Sequence, residues 1–215
     1  MSALPGPGVM DRAIEALRAG RLIIIPTDTV YGIAADARNA AAVGAIYAAK
    51  QRDPSVPLQL LFGRDPALVD RYAVLTDEAG GLMEALGPGP WTVIVPVREG
   101  WDSPALAGGR TVGIRIVPVE LVLGLVDLLG APLAASSANI SDGPSPVTCA
   151  EAERQVGLHC ALAIDTGPTA EGLDSTVIDL SGLEPRILRE GAIDREIIAR
   201  ILGVPQIPVL RSIRP

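Results

Sequence analysis

Short apolar runs alternate with helix-forming patterns along almost the whole chain, so only a few folds are open to it. Several of the runs are almost entirely apolar, which is typical of strands covered on both faces. Alternating strands and helices predict an α/β sheet with helices packed against it. The predicted strands are RLIIIP (21–26), PLQLLF (57–62), WTVIVPV (91–97), TVGIRIV (111–117), PLAAS (132–136), CALAID (160–165), STVIDL (175–180) and PRILRE (185–190).

Capping residues and glycines mark the ends of the helices. Asn39 is a suitable N-cap residue, and Thr148 and Glu151 have capping-box spacing. Glycine favours the position just after a helix, because it accepts a left-handed backbone. These signals predict five helices, from Met10 to Gly20, from Asn39 to Lys50, from Pro118 to Gly130, from Thr148 to Gly157 and from Asp194 to Gly203.

The length fits one domain. A chain of 215 residues with 48% hydrophobic residues can bury a core without help from disulfides or metal. The sequence contains no internal repeat and no long linker. We therefore expect a single domain over residues 1–204, followed by a loosely held C-terminal tail over residues 205–215.

Composition and charge exclude several kinds of protein. The net charge of −7 gives no general attraction to nucleic acid or to an anionic membrane, so any anion site must be local. Cys149 and Cys160 lack zinc-site spacing, and His159 is the only histidine, so zinc and histidine-relay chemistry find little support. No signal peptide opens the sequence, and a charge and a proline interrupt its longest apolar run. We expect buried thiols and a cytoplasmic protein without a membrane span.

Three segments between or beside the predicted strands are rich in hydroxyls and small residues. They are PTDTVYG (26–32), SSANISDGPSP (136–146) and GLDSTV (172–177). Each one alone is most simply ordinary turn chemistry. Together they would suit a ligand with phosphate or carboxylate oxygens, because ligands of open α/β sheets bind at loops beyond the strand ends.

The cations point to the same chemistry. Lys50 is the only lysine among 18 basic residues, and Arg52 follows it closely. Arg115 and Arg189 interrupt apolar strands, where a charge is costly unless it is paired. Each of these two arginines is expected to form either a structural ion pair or a contact to an anionic ligand.

Familiar nucleotide and hydrolase motifs do not occur in the sequence. There is no G-x-x-x-x-G-K-[ST], no G-x-G-x-x-G after a strand, no H-E-x-x-H and no G-x-S-x-G. Any nucleotide would therefore occupy a site of another type. Catalysis would rest on positioning and charge stabilisation, as in nucleotidyl transfer.

Several ordered motifs together resemble the YrdC/Sua5 family of L-threonylcarbamoyladenylate synthases. The family signature couples K-x-R to a downstream S-x-N, which Lys50, Arg52, Ser137 and Asn139 supply here. The resemblance covers nearly the whole chain. Its motifs are LIIIPTDTVYGIAADA (22–37), IYAAKQR (46–52), GPGPWTVIVP (87–96), TVGIRIV (111–117), SSANISDGPSP (136–146), DTGPT (165–169), DSTVIDL (174–180) and ILREGAI (187–193).

The resemblance implies a fold and an activity. The fold would be a twisted, mixed parallel and antiparallel α/β sheet with a concave ligand cavity, related to the DHBP synthase fold. The enzyme would make threonylcarbamoyl-adenylate and pyrophosphate from L-threonine, CO2 or bicarbonate and ATP, with Mg²⁺ accompanying ATP. A downstream transferase system would then deliver the threonylcarbamoyl group to adenosine 37 of tRNA.

The resemblance also assigns roles to individual residues. Lys50 would lie near the reacting carbamate and phosphates, and Asn139 near the phosphates and the metal. Together with Arg52 and Ser137 they would form the catalytic group. The nucleotide contacts would be Arg52, Thr111, Ser137, Asn139, Ser145 and Arg189, and the threonine contacts would be Thr29, Arg115 and Ser175, with Arg115 taking the carboxylate.

Three positions depart from the family pattern. Val56 stands where an asparagine is common, which weakens a nucleotide contact, and Leu61 replaces a histidine that contacts threonine. Asp142 takes a glycine position in N-x-S-G, which adds a carboxylate beside the expected triphosphate. Two alternatives therefore stay open. One is a relative that forms another carbamoyl or acyl adenylate; the other is a non-catalytic RNA-binding protein, which the charge and the scarcity of aromatic residues disfavour.

Overall fold

A computed structural model of the protein describes residues 8–170 and 172–210. Its centre is a mixed sheet of nine strands in the spatial order β7-β1-β2-β6-β3-β5-β4-β8-β9. Three of its eight neighbouring strand pairs are parallel and five are antiparallel, so the expected single α/β domain with a mixed sheet is confirmed. The strands are β1 (Leu22–Ile25), β2 (Gly32–Asp36), β3 (Gln59–Phe62), β4 (Trp91–Pro96), β5 (Thr111–Ile116), β6 (Leu133–Ser137), β7 (Cys160–Ala163), β8 (Thr176–Asp179) and β9 (Arg186–Arg189).

All five predicted helices are present, with the predicted end signals. The side chain of Asn39 accepts a hydrogen bond from the Ala42 N–H, and Thr148 and Glu151 form the capping box. Gly130 closes its helix in the left-handed conformation. The helices are α1 (Val9–Arg18), α2 (Ala40–Lys50), α3 (Pro66–Asp70), α4 (Asp77–Leu86), α5 (Glu120–Leu129), α6 (Cys149–Val156) and α7 (Arg195–Leu202).

One strand and two helices were not predicted. Strand β2 has the sequence GIAAD, in which small residues hide the usual β-branched signal. Helix α4 contains two adjacent glycines, which lower its helix propensity. Helix α3 has only five residues, too few to show a helical period, although Asp65 caps it and a proline opens it.

Strand pairing brings the first two polar segments together. β2 runs antiparallel to β6, with Gly32 opposite Ser137. The segment that precedes β2 therefore lies beside the segment that follows β6. Two backbone hydrogen bonds join them, from the Tyr31 N–H to the Pro146 carbonyl (2.8 Å) and from the Ala138 N–H to the Tyr31 carbonyl (2.8 Å). The sheet thus places both segments at one end of β1, β2 and β6.

Part of the predicted tail packs against the domain. Ile207 is 2% exposed and belongs to the hydrophobic core. Val209 forms a parallel bridge with Ile187 of β9. Residues 207–210 therefore contact the domain and extend the edge of the sheet; residues 211–215 lie outside the described part of the chain. The boundary at residue 204 stays a prediction.

Both cysteine thiols are free, and burial raises their pKa values, to about 11 for Cys149 and to about 12 for Cys160. Each thiol is therefore protonated at neutral pH, as expected of inert cysteines. Among residues 8–170 and 172–210, no helix is both long and apolar enough to cross a bilayer.

Candidate active site

Lys50 lies at the C-terminus of α2 and points into the protein. Its side chain is 2% exposed overall. The ammonium donates hydrogen bonds to the carbonyl oxygens of Ser137 (2.6 Å) and Asn139 (2.6 Å) and to Oδ1 of Asn139 (3.3 Å). Burial lowers the pKa of Lys50 from 10.5 to about 8, and repulsion from Arg52 adds to this effect. The K-x-R and S-x-N parts of the signature are therefore in direct contact.

Arg115 forms a buried ion pair beneath the first polar segment. Its side chain is 4% exposed, and Nη2 lies 2.6 Å from Oδ1 of Asp28. Nη2 also donates to Oγ1 of Thr29 (3.0 Å), and Nε donates to the Gly89 carbonyl. Burial lowers the pKa of Arg115, while Asp28 opposes the shift. Arg115 and Thr29, two of the predicted threonine contacts, are thus joined directly.

Arg189 makes a more exposed cluster on β9. Its Nε and Nη2 donate to the carbonyl and the hydroxyl of Ser175, each at 3.0 Å. The Ser175 hydroxyl lies 3.1 Å from that of Thr92, which donates to the Gln59 side chain at 2.7 Å. A chain of polar groups therefore crosses from β9 through β8 and β4 to β3. It links a predicted nucleotide contact, Arg189, to a predicted threonine contact, Ser175.

Asp174 connects this cluster to the segment after β6. Its Oδ1 accepts a hydrogen bond from the Ser145 hydroxyl at 3.4 Å, and its Oδ2 lies 3.5 Å from Nη1 of Arg189. Attraction to Asp174 acts to raise the pKa of both Lys50 and Arg115. Asp174 therefore attracts the charges of Lys50 and Arg115 as well as that of Arg189, its ion-pair partner.

Arg52 is half-buried beside the signature lysine. Nε and Nη2 donate to the carbonyls of Val56 and Pro57, while Nη1 makes no hydrogen bond with the described residues. Burial lowers the pKa of Arg52, and repulsion from Arg189 contributes. Thr111 starts β5, on the same face of the strand as Arg115, but no hydrogen bond joins it to the other site residues in the described chain.

Comparison with known proteins identifies the family. The Sua5/YciO/YrdC family model, described as "Telomere recombination", matches residues 15–191. The chain belongs to this family. A provisionally named threonylcarbamoyl-AMP synthase of Mycobacterium tuberculosis is 39% identical over 194 residues, which cover 89% of this chain and 88% of that protein. A threonylcarbamoyl-AMP synthase of Bacillus subtilis is 36% identical over 193 residues, which cover 89% of this chain but 56% of that protein.

Solved Sua5/YciO/YrdC structures confirm the fold. The P. abyssi Sua5 structure complexed with L-threonine matches with a TM-score of 0.88 and 33% identity, over 94% of this chain and 58% of that one. E. coli YciO matches with a TM-score of 0.81 and 25% identity, over 90% and 94% of the two chains. The chain thus spans little more than half of the archaeal protein and nearly all of YciO. The family resemblance inferred from the sequence is confirmed.

The three departures from the Sua5/YciO/YrdC pattern have distinct structural settings. Val56 contacts the site through its backbone: its carbonyl accepts hydrogen bonds from the Tyr47 hydroxyl and from Nε of Arg52. Leu61 is 1% exposed and pairs in register with Arg115, so an apolar side chain lines the strand beside the predicted carboxylate contact. Asp142 has a φ of 66°, a left-handed conformation in which glycine is favoured.

The sequence interpretation missed four polar residues of the site. Asp28 and Asp174 lie inside the quoted polar segments, but nothing in those segments identifies their distant arginine partners. Gln59 and Thr92 stand in strands that read as apolar. A polar residue in a strand covered on both faces is the signal that could have found them, because it needs a partner when buried.

The side chains offer limited support for a metal ion. In the described part of the chain, no group of three His, Cys, Asp or Glu side chains could hold one. The Asn139 side-chain oxygen, predicted to lie near the metal, faces the Lys50 ammonium instead. Asp174 is the carboxylate that borders Ser145 and Arg189. A Mg²⁺ ion here fits only as a companion of phosphate, since it needs few protein ligands in that case.

Proposed function

We propose that this protein is a threonylcarbamoyl-AMP synthase. It converts L-threonine, CO2 or bicarbonate and ATP into L-threonylcarbamoyladenylate and pyrophosphate. Relatives that share more than a third of their aligned residues with this chain bear that enzyme name. A matching family structure is described as a complex with L-threonine.

The observation that carries the proposal is that two differently built cationic clusters lie on joined segments. The Gly172 N–H donates a hydrogen bond to the Thr29 carbonyl at 3.1 Å, which connects the segment beside Arg115 to the segment that contains Ser175. The buried Arg115 cluster offers a fixed guanidinium beside Thr29, which suits a small carboxylate. The more open Arg189 cluster suits a larger, multiply charged anion such as a triphosphate. An amino acid and a nucleotide would then lie close enough to react.

The predicted residue roles follow this division. We assign threonine binding to Thr29, Arg115 and Ser175. We assign ATP binding to Arg52, Thr111, Ser137, Asn139, Ser145 and Arg189. The signature group Lys50, Arg52, Ser137 and Asn139 forms the catalytic machinery, in which some members touch the reactants and others position them.

The chemistry needs orientation and charge stabilisation. The threonine amine adds to CO2 and loses a proton, which gives a carbamate. A carbamate oxygen then attacks the α-phosphorus of ATP, and the bond to the β-phosphate oxygen breaks to release pyrophosphate. The side chains of Arg52 and Arg189 offset the charge that develops on the phosphate oxygens, and the Arg115 cluster holds the amino acid in line.

Mg²⁺ and partner molecules complete the proposal. Asp174 is the carboxylate within the site that would help to hold Mg²⁺ bound to ATP, and the ion would supply positive charge to offset that of the phosphates. A downstream tRNA threonylcarbamoyl transferase system consumes the adenylate to modify adenosine 37. We place the protein in the cytoplasm, where that tRNA substrate is found.

Pyrophosphate release from ATP with bicarbonate tests the proposal, with each amino acid supplied in turn. We expect release with L-threonine and much less with L-serine or L-valine. Release with another amino acid alone would support a related adenylate-forming enzyme. Absent release combined with strongly salt-dependent tRNA binding would instead support the RNA-binding alternative.

A further inference from the structure

The hydrogen bonds of Lys50 within the protein leave its ammonium without a free donor for a substrate. An ammonium carries three hydrogens and has no acceptor. All three are directed at acceptors of Ser137 and Asn139, at 2.6, 2.6 and 3.3 Å. The residue is 2% exposed. A phosphate that reached this ammonium would have to displace an acceptor inside the protein.

The backbone of Lys50 joins the same segment in the opposite direction. The carbonyl of Lys50, the last residue of α2, accepts a hydrogen bond from the Ser141 N–H at 2.8 Å. The helix end and the turn at residues 137–143 are therefore locked together through both the backbone and the side chain. A cation at a helix C-terminus is also favoured by the helix dipole.

Asn139 is saturated in the same way. Its side-chain amide donates to the carbonyls of Ile140 and Gly143, each at 2.9 Å, and its oxygen accepts from Lys50. The amide orientation is unambiguous, because the ammonium can only donate and must face the oxygen. Asn139 is 5% exposed. Its hydrogen bonds shape the turn from within.

Arg52 and Ser137, the other two signature residues, retain unused groups. Nη1 of Arg52 and the hydroxyl of Ser137 form no hydrogen bonds with residues of the described chain. Both residues are half-buried. They are therefore the members of the signature that can meet a ligand without breaking an internal contact.

We propose that the four signature residues form two pairs with different functions. Arg52 and Ser137 contact ATP, whereas Lys50 and Asn139 are positioning residues that hold the 137–143 turn and so present Ser137 to the phosphates. Asn139 thereby moves from the ATP contacts assigned above to the positioning group. This inference rests on the proposed function for the identity of the ligand. The contrast between residues whose hydrogen-bonding groups are all used and residues that retain an unused group rests on geometry alone.

The single lysine gives a direct test on the wild-type protein. In ligand-free protein, reductive methylation should modify Lys50 at less than about one hundredth of its rate in the same protein unfolded in urea, since the amine is shielded in the folded state. Mass spectrometry of the digested protein measures the methylation of Lys50 in the folded and the unfolded state. Equal rates would overturn the proposal. This result is independent of enzyme activity, so it stays distinct from a failure of the proposed function.

The labelled lysine also tests contact with the ligand. In protein labelled with ¹⁵N-lysine, one Nζ signal is expected, because Lys50 is the only lysine. After calorimetry has established ATP binding, saturating Mg²⁺ and ATP should leave the scalar couplings from Nζ to the protein carbonyls in place. A coupling between Nζ and a phosphorus of ATP would overturn the proposal.

A double-mutant cycle separates positioning from direct contact. Ser137→Ala should raise the KM for ATP about tenfold in the wild-type background, the loss expected for one charge-assisted hydrogen bond. In a Lys50→Met background the same change should alter the KM less than about twofold, because the turn no longer presents the hydroxyl. Arg189→Ala, the matched control, should cost the same factor in both backgrounds, because Arg189 forms no hydrogen bond with Lys50 or with the 137–143 turn in the described chain. Equal effects of Ser137→Ala in the two backgrounds would overturn the positioning role.

Discussion

Arg115 and Arg189 look alike in the sequence but form opposite kinds of ion pair. Each interrupts an apolar strand, and each lies beside an aspartate of a polar segment. The Arg115 side chain is 4% exposed and lies 2.6 Å from Asp28, whereas the Arg189 side chain is 43% exposed and lies 3.5 Å from Asp174. The two arginines therefore differ in burial, although their sequence surroundings are alike.

For each arginine the sequence left two possibilities, a structural ion pair or a contact to an anionic ligand. The comparison shows that an arginine can form an ion pair and still be placed to contact a ligand. Removing one partner of a buried pair strands a charge in a medium that solvates it poorly. An exposed pair gains little, because water competes for both charges. We infer that the Arg115 pair is part of the fold as well as the site, while the Arg189 pair is free to rearrange around a ligand.

Arg115→Ala should have the largest effect on stability. It removes the cation beside a carboxylate whose side chain is only 13% exposed, so the free energy of unfolding should fall by about 3–5 kcal/mol. Urea denaturation followed by circular dichroism measures this. Arg64→Ala, which breaks exposed pairs with Asp127 and Glu120, is the control and should cost no more than about 1 kcal/mol. Similar losses for the two variants would remove the distinction drawn from burial.

Gly191→Ala tests the support beneath the more exposed pair. A Cβ at Gly191 would lie within 3.0 Å of the carbonyl oxygen of Asp174 and of the backbone of Ser175, so the chain must shift. We expect a loss of about 1–3 kcal/mol in unfolding free energy, the usual cost of overpacking. ATP binding should weaken as well, because these residues hold Arg189. Gly182→Ala, at a position with open space around the added carbon, is the control.

Arg189→Ala should separate stability from binding. Its ion pair is exposed, but Nε and Nη2 also donate hydrogen bonds to the buried Ser175. The unfolding free energy should therefore fall by about 1–2 kcal/mol, less than in Arg115→Ala. Affinity for ATP, measured by calorimetry, should fall at least about tenfold, since a charge-assisted contact to phosphate is lost. A large loss of stability without any change in ATP affinity would make this pair as structural as the buried one.

Asp142→Gly should have the smallest effect and the opposite sign. Asp142 pairs with neither arginine, and its φ of 66° is more easily adopted by glycine. The unfolding free energy should therefore rise by about 0.5–1 kcal/mol, as read from the thermal midpoint. Asp142→Ala should not stabilise, because alanine disfavours this conformation. A gain in both variants would point to charge, and not backbone conformation, as the cause.

Most of the fold could be predicted because its elements carry local signals. Strand β1 is a run of leucine and isoleucines, and helix α2 begins at Asn39, a residue whose side chain can cap it. Strand β2 and helix α4 could not, since alanines and glycines in GIAAD and DEAGGLMEAL weaken the patterns that reveal a strand or a helix. Tertiary packing supplies what these local sequences lack.

The residue types of the site could be predicted, but their partners could not. The arginines and hydroxyls stand out in apolar surroundings. The pairing of Arg115 with Asp28, however, joins residues 87 positions apart. The burial of Lys50 has no local signal either, because a lysine at a helix C-terminus is usually exposed. Only the packing of the end of α2 against the turn after β6 brings the lysine to Ser137 and Asn139.

The order of strands in the sheet also has a consequence for biosynthesis. Its six central strands come from residues 22–137, whereas both edges, β7 on one side and β8 with β9 on the other, come from residues after 159. A nascent chain therefore completes the middle of the sheet while β1 and β4 each still lack a neighbour. We expect the partly made chain to be prone to aggregation until its last strands emerge, because unpaired strands recruit other chains.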